Sequence, residues 1–334
     1  MNSEPPHPLF TCRKTFLQNT TITLFMWILG VSALLGNLAV VILRVISKPA
    51  TRTASVQCTL ISNLAFSDFL MGVYMVLLAF MDLYVGKSYF WAGKADDWRS
   101  SIPCQVAGFI SVLSSEASVF LITLISVDRF IGVMFPFTQR RLSNVGSRVA
   151  VCVIWSVAFL LALTGTVLNY INPDAYLLSD VCVGLPLIRN PAGLLVESNP
   201  SIMNRYSVSL INTRATYYVS TGLFAIVLFL GINLASFIII FVCYAAIFIK
   251  VRLVRAQAGR TDKANQEIKL ALKMSLIVAT DFFCWVPIIT IGILVQAAGV
   301  RVSPDVYAWL VVFVLPVNSS INPFLYTILE MLRK

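Results

Sequence analysis

The stretch Ile110–Phe130 reads ISVLSSEASVFLITLISVDRF. Its first sixteen residues, 110–125, carry a single charge, Glu116, and it then places an acid beside a base, Asp128-Arg129. A charge-poor run of this length is what crossing a hydrocarbon core of roughly 30 Å requires, at about 1.5 Å of helix per residue. The terminal pair needs its own account. Arg129 alone could be an interfacial arginine with its stem in lipid and its head in water, but that leaves Asp128 idle.

The rest of the chain is built the same way. Of its 334 residues 58% are hydrophobic and 12% charged, with a mean hydropathy of +0.84. Soluble domains carry about 25% charged residues. Seven runs are long enough to span a bilayer: 22–46, 54–82, 104–130, 148–169, 217–249, 266–297 and 306–328. Backbone in lipid must satisfy its own hydrogen bonds, so each run reads as a helix. The expected fold is an all-α membrane protein, a bundle of seven transmembrane helices with its amino terminus outside. It divides into an extracellular tail (1–21), the membrane domain (22–328) and a truncated cytoplasmic end (329–334). With the amino terminus outside, Arg44, Lys48, Arg52, Arg129, Arg140, Arg141, Arg148, Lys250, Arg252, Arg255, Arg260, Lys263, Lys269, Lys273, Arg333 and Lys334 face the cytoplasm. They are sixteen of the 25 Lys and Arg, as the positive-inside rule requires. The net charge of +10 is therefore a collar around spanning segments, which argues against nucleic-acid binding. No cleavable signal peptide is visible in MNSEPPHPLF, so the first helix itself directs insertion.

Cys58, Cys152, Cys243 and Cys284 fall within the runs and read as packing residues. Cys12, Cys104 and Cys182 fall on the oxidising side. Cys104 begins the third helix and Cys182 lies in the long segment from Tyr170 to Thr216, so these two could join loop to helix, leaving Cys12 over. That long segment is either a ligand-facing lid or a variable surface loop. The Asn19 sequon lies almost at the membrane, and the single histidine, His7, reads as a solvated tail residue.

Acids inside a bilayer are costly and default to functional hypotheses. At helical rise Asp68 lies roughly 22 Å from Thr53 on the cytoplasmic side, Glu116 roughly 18 Å from Cys104 on the outer side and Asp281 roughly 21 Å from Glu267, which places all three near mid-bilayer. Asn37, Ser118, Asn318, Ser319 and Asn322 arrive at similar depths, so a shared polar layer inside the bundle is the cheapest arrangement. Asp68 with Ser118, Asn318 and Ser319 has the oxygens to hold a small hard cation such as sodium, or forms a purely structural network. Counting from Cys104 puts Arg129 at the inner rim, where Glu267 at the start of the sixth helix offers a second acid. A guanidinium facing acids on two helices can hold them together, and its release would let the sixth helix move. Pro287 in DFFCWVPII, beside Trp285, and Pro323 in NSSINPFLY, near Tyr326, each remove a backbone hydrogen bond and mark candidate hinges.

Taken together these residues resemble the rhodopsin-like G-protein-coupled receptors. Gly36-Asn37, NLAFSD (63–68), Cys104, DRF (128–130), Trp155, Tyr244, CWVP (284–287) and NSSINPFLY (318–326) follow that family's order and spacing over nearly the whole chain. A narrower resemblance, to the membrane domain of leucine-rich-repeat hormone receptors, rests on SSEASVF (114–120), Asp281 before FFCW, DDW (96–98) and LPVNSSINPFLYT (315–327). LGINLASFIIIFVCY (230–244) and MFPF (134–137) lean toward the relaxin-receptor branch. The resemblance implies a plasma-membrane receptor that couples an extracellular peptide or protein hormone to a heterotrimeric G protein. It implies that Arg129 meets the G protein when active and is restrained by Asp128 and Glu267 when inactive. Tyr244 and Tyr326 would rearrange, and Glu116, Asp281, Trp285, Pro287, Asn322 and Pro323 would relay the motion. Asp68, Ser118, Asn318 and Ser319 would hold sodium beside Asn37, and Cys104–Cys182 would be the loop disulfide. No other cofactor is implied.

The chain departs from the general pattern in Phe130, in the lack of proline between Tyr217 and Lys250, and in Asp281; the last two suit the subgroup. No leucine-rich repeats precede the first helix, so the chain reads as the membrane part of a longer receptor or as a receptor without that domain. Other classes fare worse. A retinal protein needs a lysine in the seventh helix, and residues 306–326 contain none. A seven-helix transporter or channel predicts internal repeats or a continuous polar path, and the polar layer here is local. An amine receptor wants an acid where Ser111 stands. No grouping of nucleophile, base and orienting residue suggests an enzyme.

Overall fold

A computed structural model describes residues 20–46, 51–85, 97–98, 100–135, 141–171, 181–183, 223–255, 262–300, 302, 306 and 309–331. Its helices are α1 (Thr20–Ile46), α2 (Arg52–Val85), α3 (Ile102–Met134), α4 (Asn144–Ile171), α5 (a π-helical Ile226–Ile232 running into Asn233–Arg255), α6 (Asp262–Ala298) and α7 (a π-helical Leu310–Val314 running into Leu315–Met331). Six are long and apolar enough to cross a membrane among the described residues, and α7 supplies a shorter apolar helix over Leu310–Leu325. The expected spans fall on these helices, apart from residues 217–222, 307 and 308, which lie outside the described residues. Where the helices run longer, most clearly from 249 to Arg255 in α5, the added turn carries Lys250 and Arg252, whose stems can lie along lipid while their charges reach water.

The ends of the helices follow the sequence locally. Ser101 caps α3, its hydroxyl accepting from the Cys104 amide at 3.3 Å, with proline in the first turn. Ser143 does the same for α4, accepting from the Gly146 amide at 2.8 Å. Gly299, at φ 68°, ends α6 in the left-handed conformation that glycine adopts without a Cβ clash. Within the spans, hydroxyls turn back on their own helix: Ser156 donates to Cys152 O and Thr164 to Leu160 O, both at 2.8 Å on exposed faces. Hydroxyls facing lipid have no water to bond, which makes this the available arrangement.

Packing centres on α3, whose buried face runs from Cys104 to Val133 and touches α2, α4, α5 and α6. Large apolar side chains of α1, α4 and α5, among them Leu35, Leu160 and Phe241, are instead exposed. Lipid tails are as apolar as leucine, so outward apolar faces carry no penalty here and close approach must come from small residues. Gly72 of α2 is such a contact: a Cβ there would lie 2.5 Å from the Leu34 amide nitrogen of α1. Gly36 of α1 likewise receives the ring of Pro323 of α7, which a Cβ would meet at 2.8 Å. On the outer side Cys104 and Cys182 form a disulfide with Cα atoms 5.5 Å apart. The Tyr74 hydroxyl of α2 donates to Val181 O at 2.7 Å, and residues 181–183 are buried. Cys12 and most of the 170–216 segment lie outside the described residues.

The α1–α2 crossing yields a stability prediction. Gly72→Ala is expected to destabilise the purified protein by about 1–3 kcal/mol through overpacking against backbone. Gly231→Ala, where a Cβ meets nothing within 4 Å, should change stability by less than about 0.5 kcal/mol. Thermal unfolding of both variants in detergent checks the contrast.

Candidate functional site

Three polar junctions stack along the inside of the bundle. The outermost joins α3 to α5. Glu116 is fully buried and accepts a hydrogen bond at 3.2 Å from the amide of Asn233, itself fully buried. Asn233 sits where the π segment of α5 ends, its backbone N–H bonded to Leu228 O five residues back. A π turn inserts one residue into the helical register and so rotates everything beyond it. Although α5 lacks a proline, the bulge presents Asn233 to the core. Beside it lies the aromatic group of α5 and α6: the Trp285 ring centroid is 6.1 Å from Phe229 and 5.9 Å from Phe237. Trp285 is buried two residues before Pro287, which lies inside α6.

The middle junction joins α1, α2, α6 and α7. Asp68 accepts from the Ser319 hydroxyl at 2.9 Å and from the Asn322 amide at 2.7 Å. Asp281 of α6 accepts from the Asn318 amide, whose oxygen lies 3.5 Å from the Thr280 hydroxyl. Asn37 of α1 donates to Ser319 O and to Ala33 O, each at 2.8 Å. Ser320 donates to Leu29 O at 2.8 Å and to Pro316 O at 3.0 Å. Of the residues expected in one layer, Asn37, Asp68, Asp281, Asn318, Ser319 and Asn322 meet here, while Glu116 lies in the outer junction, and the pairing differs from the expected one. Asn318 turns to Asp281 rather than Asp68, and Asn322, expected in the relay, takes its place on Asp68. Ser319 and Asn322, three residues apart on one face of α7, hold Asp68, while Asn318 at the neighbouring position reaches Asp281 of α6. Ser118 is buried, and its hydroxyl makes no hydrogen bond among the described residues.

The inner junction lies at the end of α3. Arg129 and Asp128 are both almost fully buried and form an ion pair. Arg141, in the connection before α4, reaches the same Asp128 oxygen at 3.4 Å. Removing one partner of such a pair strands the other charge, at a cost of about 3–5 kcal/mol. Next to it Phe130 and Tyr244 pack on an apolar cluster of Val133, Ile247 and Val251, joining α3 to α5. The side chains of Glu267 and Tyr326 lie outside the described residues, so the second acid expected for Arg129 has no geometry here.

Sequence reasoning missed Asn233, Thr280 and Arg141 as members of these junctions. Asn233 had a signal, being the lone amide in a run of apolar residues from Ile226 to Val242. Arg141 read as one of sixteen collar charges, and nothing in its local sequence set it apart. Two further contacts stabilise the family-like positions: Trp155 of α4 donates to Asn63 of α2 at 3.0 Å, and Ser114 donates to Ser67 O at 2.7 Å. Asn233→Ala should destabilise the protein by about 1–3 kcal/mol, because it leaves a buried carboxyl without its donor. The double variant Glu116→Leu/Asn233→Leu should recover part of that loss, measured as unfolding temperature in detergent.

Comparison with known proteins agrees with this geometry. Residues 36–189 and 203–326 match the family of seven-transmembrane receptors of the rhodopsin type. The chain is 35% identical over 97% of its length to the G-protein coupled receptor GRL101 of Lymnaea stagnalis, covering 26% of that protein. It is 29% identical over 94% of its length to relaxin receptor 2 of Canis lupus familiaris, covering 38% of it. It is 30% identical over 92% of its length to the thyrotropin receptor of Felis catus, covering 35% of it. The chain thus spans about a quarter to two fifths of the length of these relatives. With spanning helices and a family match over most of its residues, the chain is a multi-pass membrane protein and belongs to the rhodopsin family of seven-transmembrane receptors.

Proposed function

We propose that this chain is the transducing part of a receptor, passing an extracellular peptide or protein-hormone signal to a heterotrimeric G protein by movement of α6. The observation that carries the reading is the buried Asp128–Arg129 pair at the cytoplasmic end of α3. A guanidinium held there by an acid is positioned for release to a partner docking from the cytoplasm, and the pair then differs between two states. The hinge that would let α6 move is Pro287, below which the helix reaches Glu267. Relatives named as relaxin and thyrotropin receptors support a hormone as the signal.

The middle junction supports sodium as a stabiliser of the inactive state. Asp68 supplies charge, and the hydroxyls of Ser319 and Ser118 supply neutral oxygen, a donor set suited to a hard cation. The buried Ser118 hydroxyl, without a hydrogen bond among the described residues, fits that role. Asn318 is the weaker candidate, since its amide is engaged by Asp281.

Glu267→Ala is expected to raise basal nucleotide exchange on a co-reconstituted G protein by roughly fivefold or more, because it removes an acid restraining the buried Arg129. Unchanged exchange in a variant with equal surface expression would argue against Glu267 as a restraint on Arg129. Asp68→Asn should remove the dependence of basal exchange on sodium, measured against potassium at equal ionic strength. A sodium effect that survives would assign the Asp68 junction a purely structural role.

A further inference from the structure

Two π-helical segments lie among the described residues, Ile226–Ile232 in α5 and Leu310–Val314 in α7. The one in α7 has a local cause: Pro316 follows it and has no N–H to give to the carbonyl four residues back. The α5 segment, IVLFLGI, holds no proline, and the residues flanking it, Ala225 and Asn233, have ordinary α-helical dihedrals. Its extra residue is therefore kept by what each end touches. On the inner side Asn233 is fixed by Glu116, and the helix beyond it packs on Val133 of α3 through Ile247 and Val251. On the outer side Phe224 faces α4, where its ring lies 3.2 Å from the position of a Cβ on Gly165.

We propose that α5 has two registers, exchanged within Ile226–Ile232 while the Asn233–Glu116 contact stays in place. Taking the extra residue into a regular α-helix turns the outer end by about 100° and advances it by about 1.5 Å. Ala225, buried in the present register, then stands where Phe224 stands, against Gly165. Phe229 lies inside the segment and turns with it, leaving its stack on Trp285, whereas Phe237 on the fixed side keeps its contact with that ring. Gly231 is exposed, and nothing lies within 4 Å of where its Cβ would be, so the turning segment has a free edge.

A turn imposed on the outer end of α5 is thereby delivered to Trp285, two residues before Pro287 of α6. This consequence for α6 deepens the proposed signalling role and rests on it. The exchange of register does not, and it is read without a G protein.

The test is thiol cross-linking of the full chain in lipid nanodiscs, with a short bifunctional methanethiosulfonate and with the exposed Cys152 replaced by serine. Gly165→Cys is paired in turn with Phe224→Cys, Ala225→Cys and Leu223→Cys, and intramolecular bridging is followed by mass spectrometry. The Phe224 pair should bridge fastest. The Ala225 pair should bridge roughly ten- to a thousandfold more slowly, as a minor state does, yet faster than the Leu223 pair. Deleting Gly231 removes the spare residue and leaves both flanks on their present faces. The deletion should keep the unfolding temperature and the Phe224 bridge, and lower the Ala225 rate to that of the Leu223 pair. Phe229→Leu should raise the Ala225 rate roughly two- to tenfold, the weight of one aromatic pair. Ala225 bridging no faster than Leu223 bridging, or undiminished after the deletion, would overturn the two registers, as would a deletion variant that no longer folds. An Ala225 rate unmoved by Phe229→Leu would overturn the link to Trp285.

Discussion

Inside a bilayer a polar side chain has no water to turn to, and this constraint organises the whole molecule. Three acids on three helices, Asp68, Glu116 and Asp281, each accept from an amide on another helix: Asn322 of α7, Asn233 of α5 and Asn318 of α7. Since helices gain little hydrophobic drive from meeting one another in lipid, these junctions and the close contacts at Gly36 and Gly72 define which helices are neighbours. α7 is the member most dependent on them. Over Asn318–Asn322 it bonds in turn to α6, α1 and α2, while its Pro323 packs into the gap left by Gly36.

The same constraint locates the movable part. α6 is tied near its middle through Asp281 and Trp285, and Pro287 interrupts its hydrogen-bond ladder just beyond them. Below that tie, the inner end of α3 holds its own charges: Arg129 is buried against Asp128, with Arg141 on the same carboxylate. A rearrangement of Trp285 among Phe229 and Phe237 would bear directly on Asn233 and Glu116, which occupy the same stretch of α5 and α3. Interfaces of this kind have discrete arrangements rather than continuous ones. On the proposed function, a small shift at the outer junction would be read at the inner one.

Much of this was legible in the residues. Seven charge-poor runs gave the helices, because hydrocarbon thickness fixes their length. The rarity of acids within those runs marked Asp68, Glu116 and Asp281, and depth counting placed them in one layer. Pairing was harder. Depth cannot say which way a side chain turns, so Asn318 was grouped with Asp68 although the rotation of α7 directs it to Asp281. The partner of Glu116 depended on a π turn in α5 that no proline announces, and that turn decides whether Asn233 faces lipid or core. Arg141 is an arginine among many, and only the course of the connection before α4 brings it to Asp128.

If the chain signals through α6 as proposed, the α6–α7 junction of Asp281 and Asn318 acts as one unit that sets both folding and the resting state. A double-mutant cycle on Asp281→Ala and Asn318→Ala, read as unfolding free energy and as basal nucleotide exchange on a reconstituted G protein, tests it most directly. A coupling of about 0.5–3 kcal/mol is predicted, with the double variant little worse than either single one. Strictly additive losses in both readouts would contradict it.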